Sequence, residues 1–215
     1  MHGFAYAANL NSRLLLSTPT AATLTEDSAI YNVDIFSLGF RVKATAGTIW
    51  HLTKSTDATV DYAWITIKNE KLYWSDDTNG NLYLCDILPG GLYHVWLDVT
   101  ASAIGVYCAV DGQTGTYSSV GKSAMTPTAG RVTFFNNRAA TDPLTGTAYD
   151  IAFVAGGAAD NGIYRPGGIN TFGWTRFYPF RAGLGDAVTC VVSGTVLSGS
   201  ITWGAGDTDD GLRWA

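Results

Sequence analysis

The sequence predicts an all-β protein built on a two-sheet antiparallel sandwich. Three observations carry that expectation: a composition poor in helix formers, short runs of alternating apolar residues, and clusters of turn-forming residues between those runs. The 215 residues include 18 acidic side chains, and all but Glu26 and Glu70 are Asp. Lysine occurs at positions 43, 54, 68, 71 and 122 and nowhere after. Glu and Lys suit exposed helix faces because their straight side chains lose little freedom there. Their scarcity beside abundant Gly, Thr, Val, Tyr and Trp favours strands and tight turns. A chain of this length buries roughly 70% of its unfolded surface, enough to build a core without metals or disulfides.

The elements follow in order. Residues 1–35 carry LNSRLLLSTPTAATL, one strand and an arm. Alternation begins in FSLGFRVKA, where Phe36, Leu38, Phe40 and Val42 share a side that excludes Arg41 and Lys43. It recurs in LYHVWLDVT, with Tyr93, Val95, Leu97 and Val99 on one face and His94, Trp96 and Asp98 on the other. IGVYCAV, RVTFF and AYDIAFVA continue it, the last placing Tyr149, Ile151 and Phe153 together. SDDTNGN, LPGG, DGQTG and NNRAATDPLTG supply the turns. Strands separated by turn signals at this spacing indicate a sandwich or barrel. From 160 onward the chain turns Gly-rich and aromatic without a clean period, apart from a hairpin-like DAVTCVVSGTVLSGSITW. The expected division is therefore an arm and first strand at 1–35, a sandwich at 36–159, and an extension at 160–215. That extension must pack on the sandwich or on a neighbouring subunit, because its large rings need covering.

FSLGFRVKATAGTIWHL, YAWITIKNEKLYWS and LPGGLYHVWLDVTASAIGVYCAVDGQTG, followed by RVTFF and AYDIAFV, resemble the laminin-G/concanavalin A-like jelly rolls. The matching features are Tyr93-His94-Val95 after a short Gly turn and the strand running from Tyr107 to Asp111-Gly112. The resemblance covers about residues 30–157 and implies a two-sheet jelly roll. The closing strand departs from the family pattern, with Tyr149-Asp150-Ile151 only approximating its Asp-Asp-Val.

Charge and motif content narrow the chemistry. A net charge of -5 with no basic block excludes phosphate-neutralising nucleic-acid binding. No stretch reaches the ~18 apolar residues of a membrane helix, and the N-terminus lacks the pattern of a secretory signal. A protein made in the cytoplasm without classical export is expected. Cys85, Cys108 and Cys190 each sit in strand-like runs, where a free thiol behaves as a small hydrophobe. Three buried thiols are expected, with one disulfide as the alternative. Retaining glycosidases need two carboxylates about 5–5.5 Å apart. Jelly-roll glucanases supply them as Glu-x-Asp-x-Glu on one strand, a motif this sequence lacks. A non-enzyme is expected. The stretch from Gly115 to Ser123 only superficially resembles a phosphate loop, and no G-x-S-x-G elbow occurs.

Two turn regions concentrate oxygen ligands. Asp76, Asp77 and Asn79 form a candidate calcium loop, and Asp207, Asp209 and Asp210 a second. Hairpin turns use the same residues for backbone reasons. His2, His51 and His94 show no zinc spacing. Sugar sites pair an aromatic platform with polar acceptors. Trp74 and Trp96 with Asp76, Asn79 and Asn81 are the candidate glycan-binding set, drawn from a pool that also holds Trp50 and Trp64. In the extension, Phe172, Trp174, Phe177, Tyr178, Phe180 and Trp214 are candidates for a partner interface.

The leading expectation is a non-catalytic structural component of a virus particle: a bacteriophage decoration, tail or fibre-associated subunit, contacting other virion proteins or copies of itself. It draws on the missing export signal, the low Lys and Glu content and the aromatic extension. The resemblance adds that such jelly rolls occur in phage particles. A module that binds a cell-surface glycan is the alternative, and a glycan hydrolase ranks last.

Overall fold

The computed structural model describes residues 14–16, 24–110, 113–156, 174–179 and 188–199. Twelve strands and one short 3₁₀ turn make up its regular structure. Every strand pairing among these residues is antiparallel. In chain order the strands are β1 (Leu14–Leu16), β2 (Leu24–Asp27), β3 (Phe36–Lys54), β4 (Asp57–Lys68), β5 (Lys71–Asp76) and β6 (Gly80–Asp86). They continue with β7 (Tyr93–Val99), β8 (Ala103–Val110), β9 (Thr116–Gly121), β10 (Gly130–Phe134), β11 (Thr145–Ala155) and β12 (Arg176–Pro179).

β3 belongs to both layers of a sandwich. Its first half lies between β7 and β11, giving a first sheet β9-β8-β7-β3-β11 with β1 and β12 on the outer edge of β11. Its second half lies between β4 and β10, giving a second sheet β6-β5-β4-β3-β10-β2. The change of sheet occurs around Gly47, whose φ is +100°. A Cβ there would stand 2.1 Å from the Pro143 carbonyl oxygen, so only glycine fits the corner.

Alternation places the core. Phe36, Leu38, Phe40 and Val42 from β3 meet Tyr93, Val95, Leu97 and Val99 from β7 and Ile65 and Ile67 from β4 in one buried cluster. Phe36, Trp50 and Trp74 stack at its centre, with ring centroids 5.6 Å and 6.2 Å from Phe36 and 6.5 Å between the two indoles. Each such pair contributes about 0.5–1.5 kcal/mol beyond its buried area.

The outer face of the first sheet is covered over β7 and β11. Trp96, Ala152 and Val154 project there and are covered by Trp174 and Phe177, forming a second buried cluster. The extension thus packs back on its own sandwich where it is described. This corrects the assignment of Trp174, Phe177 and Tyr178 to a partner interface: all three are buried within the chain. Their irregular sequence spacing reflects a covering segment rather than a docking strand. Phe172, Phe180 and Trp214 lie outside the described residues. The expected boundary at residue 36 also shifts, because β2 is already hydrogen-bonded to β10 as part of the second sheet. Cys85, Cys108 and Cys190 are buried free thiols.

Candidate functional site

The turn that joins β5 to β6 holds Asp76, Asp77, Asn79 and Asn81, and local hydrogen bonding explains its shape. Asp76 Oδ1 accepts the backbone N–H groups of Thr78 and Asn79 at 2.9 and 2.6 Å. Asp76 Oδ2 accepts Trp74 Nε1 at 2.7 Å, and Asn79 Nδ2 donates to both oxygens. Burial alone would push this carboxyl up, but the bonds from Asn79, Trp74 and Thr78 outweigh it and hold it below the usual carboxylate value. Asn79 Oδ1 in turn accepts the N–H and hydroxyl of Ser123, tying the turn to the segment after β9.

Asp76 and Asn79 are spent on the turn. An ion at Asp76 would displace the bonds that shape the loop; Asp76 and Asn79 cap backbone N–H groups there, while Asp77 is exposed. Among the described residues no group of three or more His, Cys, Asp or Glu is placed to hold a metal. The aromatic part of the expected glycan set is corrected as well. Trp74 and Trp96 are fully buried, one in the sandwich core and the other beneath Trp174 and Phe177. A sugar platform needs an open ring face, and neither indole has one. Asn81 differs: it is exposed, and its Oδ1 accepts the Ser75 hydroxyl at 2.5 Å.

Asn81 belongs to a row of side chains on the outer face of the second sheet. The register aligns His51 of β3, Trp64 of β4, Ser75 of β5 and Asn81 of β6. A neighbouring row aligns Thr66, Tyr73 and Tyr83 across the same strands. The period of two explains the placement, because Ala63, Ile65, Leu72 and Trp74 take the inward positions. Trp64 and Tyr73 are half-buried, and Tyr83 is 48% exposed. The Tyr73 and Tyr83 rings meet edge to face, with centroids 6.3 Å apart. Lys71 Nζ lies 5.6 Å from the centre of the Tyr83 ring, and the Tyr83 hydroxyl donates to Asp86 at 3.1 Å. Aromatic rings thus alternate with Lys71, Asp86 and Asn81 along one sheet face.

At the β3 end of this face sits a polar cluster that sequence reasoning missed. His51 Nε2 is 3.0 Å from Asp61 Oδ1, and Arg138 Nε is 3.1 Å from the same oxygen. His51 Nδ1 accepts the Arg138 backbone N–H at 3.1 Å. The His51–Asp61 contact is close but out of line with the ring N–H, so Nε2 and Oδ1 lack an aligned hydrogen bond. Trp64 meets the imidazole edge to face at 5.6 Å. Burial, helped by the Arg138 guanidinium, keeps His51 below the usual imidazole value despite Asp61. Its Nδ1 lone pair is committed to the backbone and its Nε2 proton faces a carboxylate. In this arrangement the ring has no lone pair to take a substrate proton. The cluster was hidden because its members come from β3, β4 and the loop after β10, with only cross-strand register joining them.

A third polar group is internal. Glu26 of β2 points into the sandwich, where Oε2 accepts the hydroxyls of Tyr31, at 2.6 Å, and Tyr178. Oε1 accepts Arg176 Nε at 2.9 Å. Desolvation and the neighbouring carboxylate push both phenols well above their ordinary value, so they remain donors. With Glu26 and Tyr31 both buried, this group serves packing rather than a ligand.

No family model matches the chain, and no curated protein matches it. Solved structures do. The LG4-5 domains of the mouse laminin alpha1 chain align over 69% of this chain at 11% identity with a TM-score of 0.50, and the match spans 42% of that laminin chain. The LG1-3 region of the laminin alpha2 chain aligns over 66% of this chain and 32% of its own length, at 11% identity and a TM-score of 0.49. The enzymatically active domain of tailspike protein 2 from bacteriophage CBA120 aligns over 74% of this chain and 28% of its own, at 11% identity and a TM-score of 0.47. The sandwich with its shared β3 therefore has the laminin-G, concanavalin A-like jelly-roll fold that the strand order resembles.

Proposed function

We propose that the chain is a non-catalytic binding module that recognises a carbohydrate on the outer face of the second sheet. The strip of Trp64, Tyr73 and Tyr83 carries this reading, because three partly open rings across adjacent strands offer apolar faces to the C–H faces of sugar rings. Asn81, Lys71 and Asp86 stand beside them to bond hydroxyls. The fold is compatible with this use and does not by itself assign it. The test is a glycan array followed by calorimetric titration of the best binder. Tyr83→Ala and Trp64→Ala should each weaken binding about tenfold or more, which corresponds to ~1.4 kcal/mol. Tyr117→Ala removes a ring that is 60% exposed on β9 of the other sheet, and it should leave affinity unchanged. An array without a binder, or equal losses in all three variants, defeats the assignment.

A role as a subunit of a virus particle, the leading expectation from sequence, is the second reading. What favours it now is a set of exposed valines rather than the aromatic rings. In the turn around residues 189–196, Cys190 N–H donates to the Thr195 carbonyl at 2.7 Å, and Val191, Val192 and Val196 remain exposed. Exposed apolar side chains in one turn suit contact with another protein. Light scattering of the intact chain, alone and mixed with particles of its source, tests it. A monomer that ignores particles removes this reading and leaves the glycan assignment untouched.

A further inference from the structure

We propose that Cys85 and Cys108 form a disulfide that staples the two sheets together when the chain folds in an oxidising environment. Cys85 lies on β6, the edge strand of the second sheet, and Cys108 on β8, next to the edge of the first. Register directs both inward: Cys85 pairs with buried Leu72, and Cys108 pairs with buried Val95. They are 9% and 8% exposed and belong to the same core cluster. β6 and β8 approach each other across the sandwich, and the Cys108 thiol is the neighbour that acts most strongly on the Cys85 thiol. A side-chain bond across packed sheets is sterically ordinary, since immunoglobulin domains join their layers this way.

The third thiol has another role. Cys190 Sγ accepts the backbone N–H groups of Phe177 and Ser193 at 3.3 and 3.4 Å, which holds the extension in place. Position also distinguishes the pair. β3 already joins the sheets along one side of the molecule, while β6 and β9 end them on the other. Cys85 and Cys108 sit at that second side, where no shared strand holds the layers together.

A low-molecular-weight disulfide such as oxidised glutathione serves as oxidant. The thiolate of one cysteine attacks it, forms a mixed disulfide and expels one small thiol. The thiolate of the other then attacks the protein-bound sulfur and expels the second. One small disulfide is reduced to two small thiols, two protein thiols become one protein disulfide, and both thiol protons end on the expelled thiolates. The neighbouring Cys108 thiol and burial push the Cys85 thiol up and so suppress its thiolate in the closed sandwich. Exchange therefore proceeds while the β6 edge is open, during folding.

The experiment is to refold the intact chain in a glutathione redox buffer and in excess reductant, then compare non-reducing peptide maps, free-thiol counts and melting temperatures. The expected result is a Cys85–Cys108 cross-link, one remaining thiol at Cys190, and a Tm higher by on the order of 10 °C than in the reduced form. Both forms have the same sequence, so a variant that fails to fold cannot confuse the comparison. Cys190→Ser should form the same link, and Cys108→Ser should melt at one temperature in both buffers. Three free thiols after oxidative refolding, a link through Cys190, or a Cys85–Cys108 link that leaves Tm unchanged overturns the proposal.

Discussion

Among single side chains, His51 and Asp76 both hold a proton less tightly in the folded chain than in the unfolded one, and they respond in different pH ranges. The folded imidazole of His51 holds its proton less tightly than an exposed one, because burial and Arg138 disfavour its charged form. Below the unfolded value of about 6.5 the unfolded chain therefore binds more protons, and stability falls as pH drops through that range. Above it the contribution is complete. Asp76 is depressed by its hydrogen bonds, so its stabilisation is lost only further down, as pH falls below the ordinary carboxylate value of about 3.9. Thermal melts between about pH 5 and pH 7.5 should show a decline on acidification that His51→Gln flattens. A variant with the wild-type slope would assign the decline to other groups. His51 is also the clearest case of a site residue that the sequence hides. Nothing near HLTK marks it, because Asp61 and Arg138 reach it only through strand pairing and a loop crossing. Trp96 is the converse case: alternation places it on the correct face, but the residues that cover it have no period to read.

The anchoring of β12 is the decisive feature at the scale of elements. The strand is four residues long, and four backbone pairings to β11 are little to hold it. Its side chains add the Arg176 and Tyr178 bonds to Glu26, so a carboxylate on β2 fastens a strand more than a hundred residues away. Glu26→Gln leaves the Arg176 guanidinium, only 13% exposed, without its counter-charge, and it should cost about 3 kcal/mol or more. Tyr31→Phe removes one hydroxyl bond to a charged acceptor and should cost about 1.5–3 kcal/mol. Chemical denaturation of the two variants checks that order; equal losses would mean that the carboxylate is satisfied without Arg176. The strands of the sandwich are legible because each buries one face against the opposite sheet. β12 is not, since its order comes from Arg176 and Tyr178 reaching Glu26, a carboxylate far away in the sequence.

For the whole molecule, the burial of Trp174 and Phe177 over Trp96 decides what the extension does. Removing residues 160–215 would open the outer face of the first sheet, exposing Trp96, Ala152 and Val154 and leaving Glu26 without Arg176 and Tyr178. The truncated chain should be insoluble or lose its cooperative melt. A soluble, cooperatively folded truncation would mean that the extension only rests on the sandwich. Fold class was readable at this scale because many alternating strands leave few architectures. The internal role of the extension was not, since large rings without a period look alike whether they cover their own chain or another. The strand common to both layers has a further consequence, for synthesis. β3 meets β4 almost at once, but its other neighbours arrive late: Arg41 waits for Asp150, 109 residues further along. Pairings of such long range make folding slow. Until β10 and β11 leave the ribosome, β3 carries an unpaired edge on a nascent chain, the interval in which pairing with a neighbouring copy competes with completion of the sandwich.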